Sequence, residues 1–196
     1  MTVIRVAGFD PSMNNWGMAS GQYNSESQEI QVHGLGVVKP SKQKARRKSE
    51  TDLGVASQLF AGVDQFLSRW LPHILFVEVP VGSQSARAMA SYAMCITALS
   101  AIRFYEDRDF ISLTPREVKL SATDDPKASK IDMIDWAVGL YPDLDWPRHT
   151  VKGEQIITTG SAEHMADAIG AIHAGIELYG DLIHEKLKEF PDETLA

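Results

Sequence analysis

Four side chains in this sequence have the types and surroundings to bind a hard metal ion: Asp10, Glu78, His164 and Asp167. Asp10 follows the apolar, β-branched run Val3–Phe9 and precedes Pro11, so it stands where a buried strand turns into a loop. An aspartate in that place also serves simply to bond its own turn backbone. Glu78 interrupts the end of another apolar run, Ile74–Val79, and a carboxylate there needs a cation, because an unpaired buried charge is costly. His164 and Asp167, three residues apart, share one face of a helix near its N-terminus, where the dipole favours negative charge. A histidine on such a helix equally serves as a hydrogen-bonded structural residue. Taken together, three carboxylates and one imidazole suit Mg²⁺, or Mn²⁺ in its place, better than structural Zn²⁺, which favours thiolates and more histidines. Two such ions about 3.5–4 Å apart activate water on one side of a phosphodiester and stabilise the leaving oxygen on the other.

The elements that would position these groups follow from hydrophobic period and punctuation. Val3–Phe9, Trp16–Tyr23 and Ile30–Val38, separated by short polar turns, read as a three-strand antiparallel meander. A helix is predicted over Thr51–Leu71, stopped by Pro72, then a buried parallel strand at Ile74–Val79. A small-residue helix over Ser85–Tyr105, a strand at Phe110–Leu113, a short helix opened by Pro115 and a helix over Ser129–Leu140 come next. Prolines and glycines between Tyr141 and Gly160 predict a long connection, and the last helix is expected to start at Ser161 as N-cap and run toward Lys188. The order β-β-β-α-β-α-β-α is that of a mixed α/β sheet. If the first and fourth strands are neighbours, Asp10 and Glu78 emerge at one edge. The small residues Ala166, Ala168, Gly170, Ala171, Ala174 and Gly175 would let the last helix approach the sheet and carry Asp167 there.

Composition sets limits on partners and location. The chain has 196 residues, 44% hydrophobic and 23% charged, which fits one packed domain over 1–196 and excludes coiled coil, collagen-like repeat and disorder. No apolar stretch has the length of a membrane helix, and Arg5 and Asp10 come too early for a secretory signal, so the cytoplasm is expected, that of a host if the protein is viral. Cys95 reads as a buried structural thiol. The net charge of −7 argues against a polyanionic partner, but its distribution is uneven. Lys39, Lys42, Lys44, Arg46, Arg47 and Lys48 form a basic segment without acidic residues, either a solvated loop or a phosphate-binding one. Lys119, Lys127 and Lys130 are further candidates for phosphate contact.

Several segments resemble the RuvC-type Holliday junction resolvases of the ribonuclease H-like superfamily, including viral members. Gly8-Phe9-Asp10-Pro11-Ser12 with Trp16-Gly17 resembles the family's first two strands and metal-binding aspartate. Phe76-Val77-Glu78 resembles its fourth strand with the catalytic glutamate, and Thr114-Pro115-Arg116-Glu117-Val118-Lys119 the segment whose lysine approaches DNA. Lys127-Ala128-Ser129-Lys130 resembles the basic stretch after it, and His164-Met165-Ala166-Asp167-Ala168-Ile169 the C-terminal helix motif. The resemblance implies a ribonuclease H-like five-stranded sheet flanked by helices, and a homodimer with two active sites. It implies Mg²⁺-dependent nicking of four-way DNA junctions to 5′-phosphate and 3′-hydroxyl ends, in recombination and repair. Asp10, Glu78, His164 and Asp167 would form the metal site, His164 replacing a frequent aspartate. Lys119, Lys127 and Lys130 would contact DNA, and Lys42, Lys44, Arg46, Arg47 and Lys48 would grip a DNA arm. Val79-Pro80-Val81-Gly82 lacks the aromatic wedge of the best-known members, which leaves junction selectivity open.

Three other readings compete. An actin-like ATPase or sugar kinase also opens with a strand and Gly-x-Asp, but its duplicated core needs a much longer chain. A nuclease acting on RNA–DNA hybrids or on branched DNA more broadly would use the same metal chemistry. A non-catalytic branched-DNA binder would keep the fold without needing all three carboxylates.

Overall fold

The computed structural model describes residues 3–41, 47–79, 82, 85–106 and 109–187. Its centre is a five-stranded sheet of β1 (Val3–Asp10), β2 (Trp16–Asn24), β3 (Glu29–Val38), β4 (Ile74–Glu78) and β5 (Asp109–Leu113), in the order β3-β2-β1-β4-β5. The first three strands form the expected antiparallel meander, and β4 and β5 add in parallel on the far side of β1. β1 and β4 are therefore neighbours. Both are apolar because both sheet faces are covered.

On one face lie α1 (Lys48–Trp70) and α2 (Ala86–Glu106). There Phe9, Trp16, Leu59, Phe66 and Leu99 are buried together, with edge-on aromatic contacts from Phe9 to Trp16 and to Phe66. The opposite face is covered by α3 (Pro115–Thr123), α4 (Lys130–Leu140) and α5 (Thr159–Leu187), packed on Ile4, Val6, Phe76 and Ile111. Local chemistry sets the helix ends. Thr114 and Glu117 form a capping box at α3 with Pro115 as its first residue, and Ser129 and Asp132 form another at α4. Helix α1 begins three residues before the expected Thr51, with the Glu50 carboxylate accepting from the Arg47 N–H. It ends at Leu71, whose left-handed backbone precedes Pro72. Cys95 is a buried free thiol, as expected.

Two expectations need correction. The 141–160 connection contains a hairpin, β6 (Arg148–Val151) paired with β7 (Glu154–Ile157). Lys152 and Gly153, with φ of 51° and 90°, make the two-residue turn with both centres left-handed that such ribbons favour. Helix α5 starts at Thr159 because the Thr158 carbonyl already accepts from the N–H groups of Ser161 and Ala162. Ser161 is consequently inside the first turn and buried rather than its cap. The helix also departs from helical geometry at Tyr179. Among the described residues, no helix is long and apolar enough to cross a membrane.

Candidate active site

Strand register places the first two carboxylates. In the parallel pair β1–β4, Phe9 faces Val77, so the next residues, Asp10 and Glu78, stand side by side where both strands end. Helix α5 then brings His164 and Asp167 over this edge by crossing β1 and β2 at very short range. Glycine permits that approach. A Cβ on Gly17 would lie 2.0 Å from the His164 carbonyl oxygen, and one on Gly8 would lie 1.9 Å from that of Ala168. The small residues of the helix are thus only half of the device, and the strand glycines are the other half.

His164 Nδ1 hydrogen-bonds the Asp10 carboxylate, and both side chains are mostly buried, 16% and 14% exposed. Burial alone would lower the histidine, but the hydrogen bond and charge of Asp10, with the charges of Glu163 and Asp167, hold it above its ordinary value. Burial first, and then the charges of Asp10 and Asp167, push the Glu78 carboxyl up to about 9. Asp167 is pushed up to about 7, again by burial first and by Asp10 next, with His164 and Lys119 opposing. These couplings mark a tight acidic cluster with too little positive charge of its own. Cys95 on α2 feels it too, since burial and then the Asp10 charge raise its thiol to about 11, which leaves the thiol protonated and inert at neutral pH.

The predicted cations divide into two groups. Lys119 is at the site, where its charge favours ionisation of Glu78 and Asp167 while its Nζ donates to the Ala128 carbonyl at 2.9 Å. Lys130 is beside it, paired with Glu163 at 2.7 Å. Lys127 is exposed, with its backbone N–H donating to Asp125 at 2.8 Å. Of the basic segment, Lys39 bonds Ser161 on α5, Arg47 precedes α1, and Lys48 pairs with Asp52 on the helix surface. Lys42, Lys44 and Arg46 lie outside the described residues.

Two residues near the site were not assigned to it from the sequence: Glu163, and Ser161, which was expected only as a helix cap. Glu163 lies between Lys130 and His164, 3.4 Å from His164 Nε2, so the imidazole has a carboxylate at each nitrogen. Its position next to His164 in sequence was the available signal. The Lys39–Ser161 contact ties the end of β3 to the first turn of α5 and had no sequence signature.

The donor set fits a divalent cation. Three carboxylates from β1, β4 and α5 crowd one edge, and protonating Glu78 is the structure's way of relieving a repulsion that a bound cation would relieve instead. Among the described residues, however, no three His, Cys, Asp or Glu side chains are already spaced as a metal cage. His164 and Asp10 bond each other through one ring nitrogen and one carboxylate oxygen, which leaves His164 Nε2 and the second Asp10 oxygen as donor atoms.

No protein-family model matches the chain, and no curated protein matches it. Solved structures do. The chain has the ribonuclease H-like α/β fold of the RuvC-type Holliday junction resolvases. It is similar to Thermus thermophilus RuvC in complex with Holliday junction substrate, with a TM-score of 0.64 and 18% identity over 91% of this chain and 96% of that one. The yeast mitochondrial Holliday junction resolvase Ydc2 gives 0.60 and 16%, covering 95% and 84%. The fowlpox virus Holliday junction resolvase gives 0.55 and 13%, covering 89% and 99%.

Proposed function

We propose that this chain is a metal-dependent endonuclease that cleaves branched DNA, four-way junctions above all. The observation that carries this reading is the convergence of Asp10, Glu78 and Asp167, with Lys119, at one sheet edge. Buried acidic clusters of this kind are costly to a fold and accord with a hard cation as their purpose. The similar structures support the substrate class, since one is RuvC in complex with Holliday junction substrate and another is fowlpox resolvase with Holliday junction DNA.

In this reading Asp10, Glu78, Asp167 and His164 hold Mg²⁺, two ions per site, with Mn²⁺ able to replace it. The metal supplies activated water and charge neutralisation at the phosphate. The chain's own part is to place the carboxylates rigidly, to offer Lys119 to a phosphate oxygen, and to orient His164 between Asp10 and Glu163. Hydrolysis leaves 5′-phosphate and 3′-hydroxyl ends, as recombination and repair require, in the cytoplasm of the cell or of a viral host. Lys127, Lys130 and the basic segment would hold DNA arms.

Symmetric nicking needs two sites, and a homodimer would supply them. The face of α2 away from the sheet favours a second copy: Met89 and Phe104 are exposed, and a groove of about 420 Å³ runs along Phe60 of α1 and Ala93, Met94 and Thr97 of α2. A helix apolar on both sides is one that expects cover on both.

The test is cleavage of a labelled four-way junction with and without Mg²⁺, beside linear duplex, flap, fork and RNA–DNA hybrid. Symmetric Mg²⁺-dependent nicks in the junction are expected. Equal cutting of flap and fork would make it a general branch nuclease, cutting of the hybrid alone a ribonuclease, and binding without cleavage a non-catalytic binder.

A further inference from the structure

We propose that the β6–β7 hairpin is a DNA-contacting arm beside the active site, with Arg148 and Lys152 on phosphates and Val151 and Ile156 on unstacked bases at the branch point. The proposal rests on the nuclease reading above. Four features of the ribbon carry it.

Apart from Ile157, which packs against the edge of the core, the hairpin contributes little to it. Seven of its eight strand residues are exposed, Ile157 alone being half-buried, and no other element packs broadly against it among the described residues. A two-stranded ribbon without such cover is marginal in water, so one that is kept has another use.

The root, by contrast, is fixed. Trp146 is buried and its indole N–H donates to the Tyr141 carbonyl at 2.8 Å, while the Thr158 N–H donates to the Pro147 carbonyl at 2.7 Å. The His149 ring and the Thr158 hydroxyl meet at 3.1 Å. A firm root under an exposed ribbon suits a contact arm.

The root also joins the site directly. Thr158 immediately precedes α5, and about 8 Å of helix rise separates Thr159 from His164. Within that turn Ser161 is bonded by Lys39, where the basic segment begins. The hairpin root and His164 are thus joined by less than two turns of one helix.

Chemistry distinguishes its two faces. Register puts Arg148, Thr150, Gln155 and half-buried Ile157 on one face, with Gln155 bonding the Thr150 hydroxyl at 2.9 Å, and His149, Val151, Glu154 and Ile156 on the other. Lys152 is at the tip. Cationic and amide groups suit a phosphate backbone, and an exposed β-branched pair suits bases that a branch point leaves unstacked.

The experiment measures binding to a fluorescent four-way junction and to linear duplex, with Ca²⁺ replacing Mg²⁺, for wild type, Arg148→Ala/Lys152→Ala and Val151→Ser/Ile156→Ser. The first variant is expected to weaken junction binding about ten-fold and to shallow the salt slope by about 2, one contact per lost charge. The second is expected to lower the preference for junction over duplex several-fold with the salt slope unchanged. Melting temperatures should stay at the wild-type value, because the altered residues are exposed. If wild type binds the junction and both variants match it in affinity, slope and preference, the hairpin proposal is overturned alone. If wild type binds no branched DNA, the nuclease reading is overturned and the hairpin proposal with it.

Discussion

His164 holds Asp10 through a hydrogen bond from Nδ1 that joins α5 to the end of β1 across 154 positions of sequence. The bond fixes the orientation of both groups before any substrate arrives. Replacing the ring with a methyl group should lower the nicking rate about 100-fold or more, the range of a lost acid–base or orienting group. His164→Asp keeps an oxygen ligand and should retain more activity than His164→Ala, with its pH profile displaced to lower pH. Single-turnover nicking from pH 5.5 to 9 checks this, and wild-type rates in both variants would remove His164 from the site.

The backbone under that bond has no room to give. With a Cβ at Gly17 only 2.0 Å from the His164 carbonyl oxygen, Gly17→Ala must push α5 away from β2. Overpacking of this kind costs about 1–3 kcal/mol. Cleavage should fall further than stability explains, because the shift moves His164 and Asp167 together. Urea unfolding alongside nicking under conditions where the variant is fully folded separates the two effects.

Charge crowding predicts an unusual stability profile in EDTA. Folded-state values of about 9 for Glu78 and about 7 for Asp167, against ordinary values of 4.5 and 3.8, mean that the folded protein keeps protons the unfolded chain has released. Stability should therefore fall as pH rises from about 4.5 to 9, and the raised His164 acts in the same direction. Thermal unfolding at pH 5, 7 and 9 should show that decline in wild type and a flatter one in Glu78→Gln. Added Mg²⁺ should raise the melting temperature most at the alkaline end.

The sheet and the meeting of the four candidate side chains were legible in the sequence because each sits where a pattern breaks. Asp10 and Glu78 end apolar runs, and His164 and Asp167 carry helical spacing amid small residues. Their meeting depended on β1 and β4 being neighbours, which the strand order bears out. The hairpin was hidden because its strands are four residues each and mostly polar, so Gly153 and the surrounding prolines outweighed a weak alternation. Glu163 was hidden for a different reason: its place next to His164 was visible, but its other partner, Lys130, comes from a separate helix, and no local spacing reports that. The start of α5 was misplaced by two residues because Ser161 has the chemistry of a cap, yet Lys39, just after β3, already engages its hydroxyl.

The central claim is that the carboxylate cluster cleaves DNA with a metal, and Glu78→Gln tests it most directly. The amide preserves shape and removes the charge that burial, Asp10 and Asp167 make costly. Wild type and variant would be compared on one four-way junction, for binding in Ca²⁺ and for nicking in Mg²⁺. Matched binding is expected, with nicking lost by about 1,000-fold or more, as removal of a key electrostatic group costs. Nicking at the wild-type rate in Glu78→Gln would contradict it.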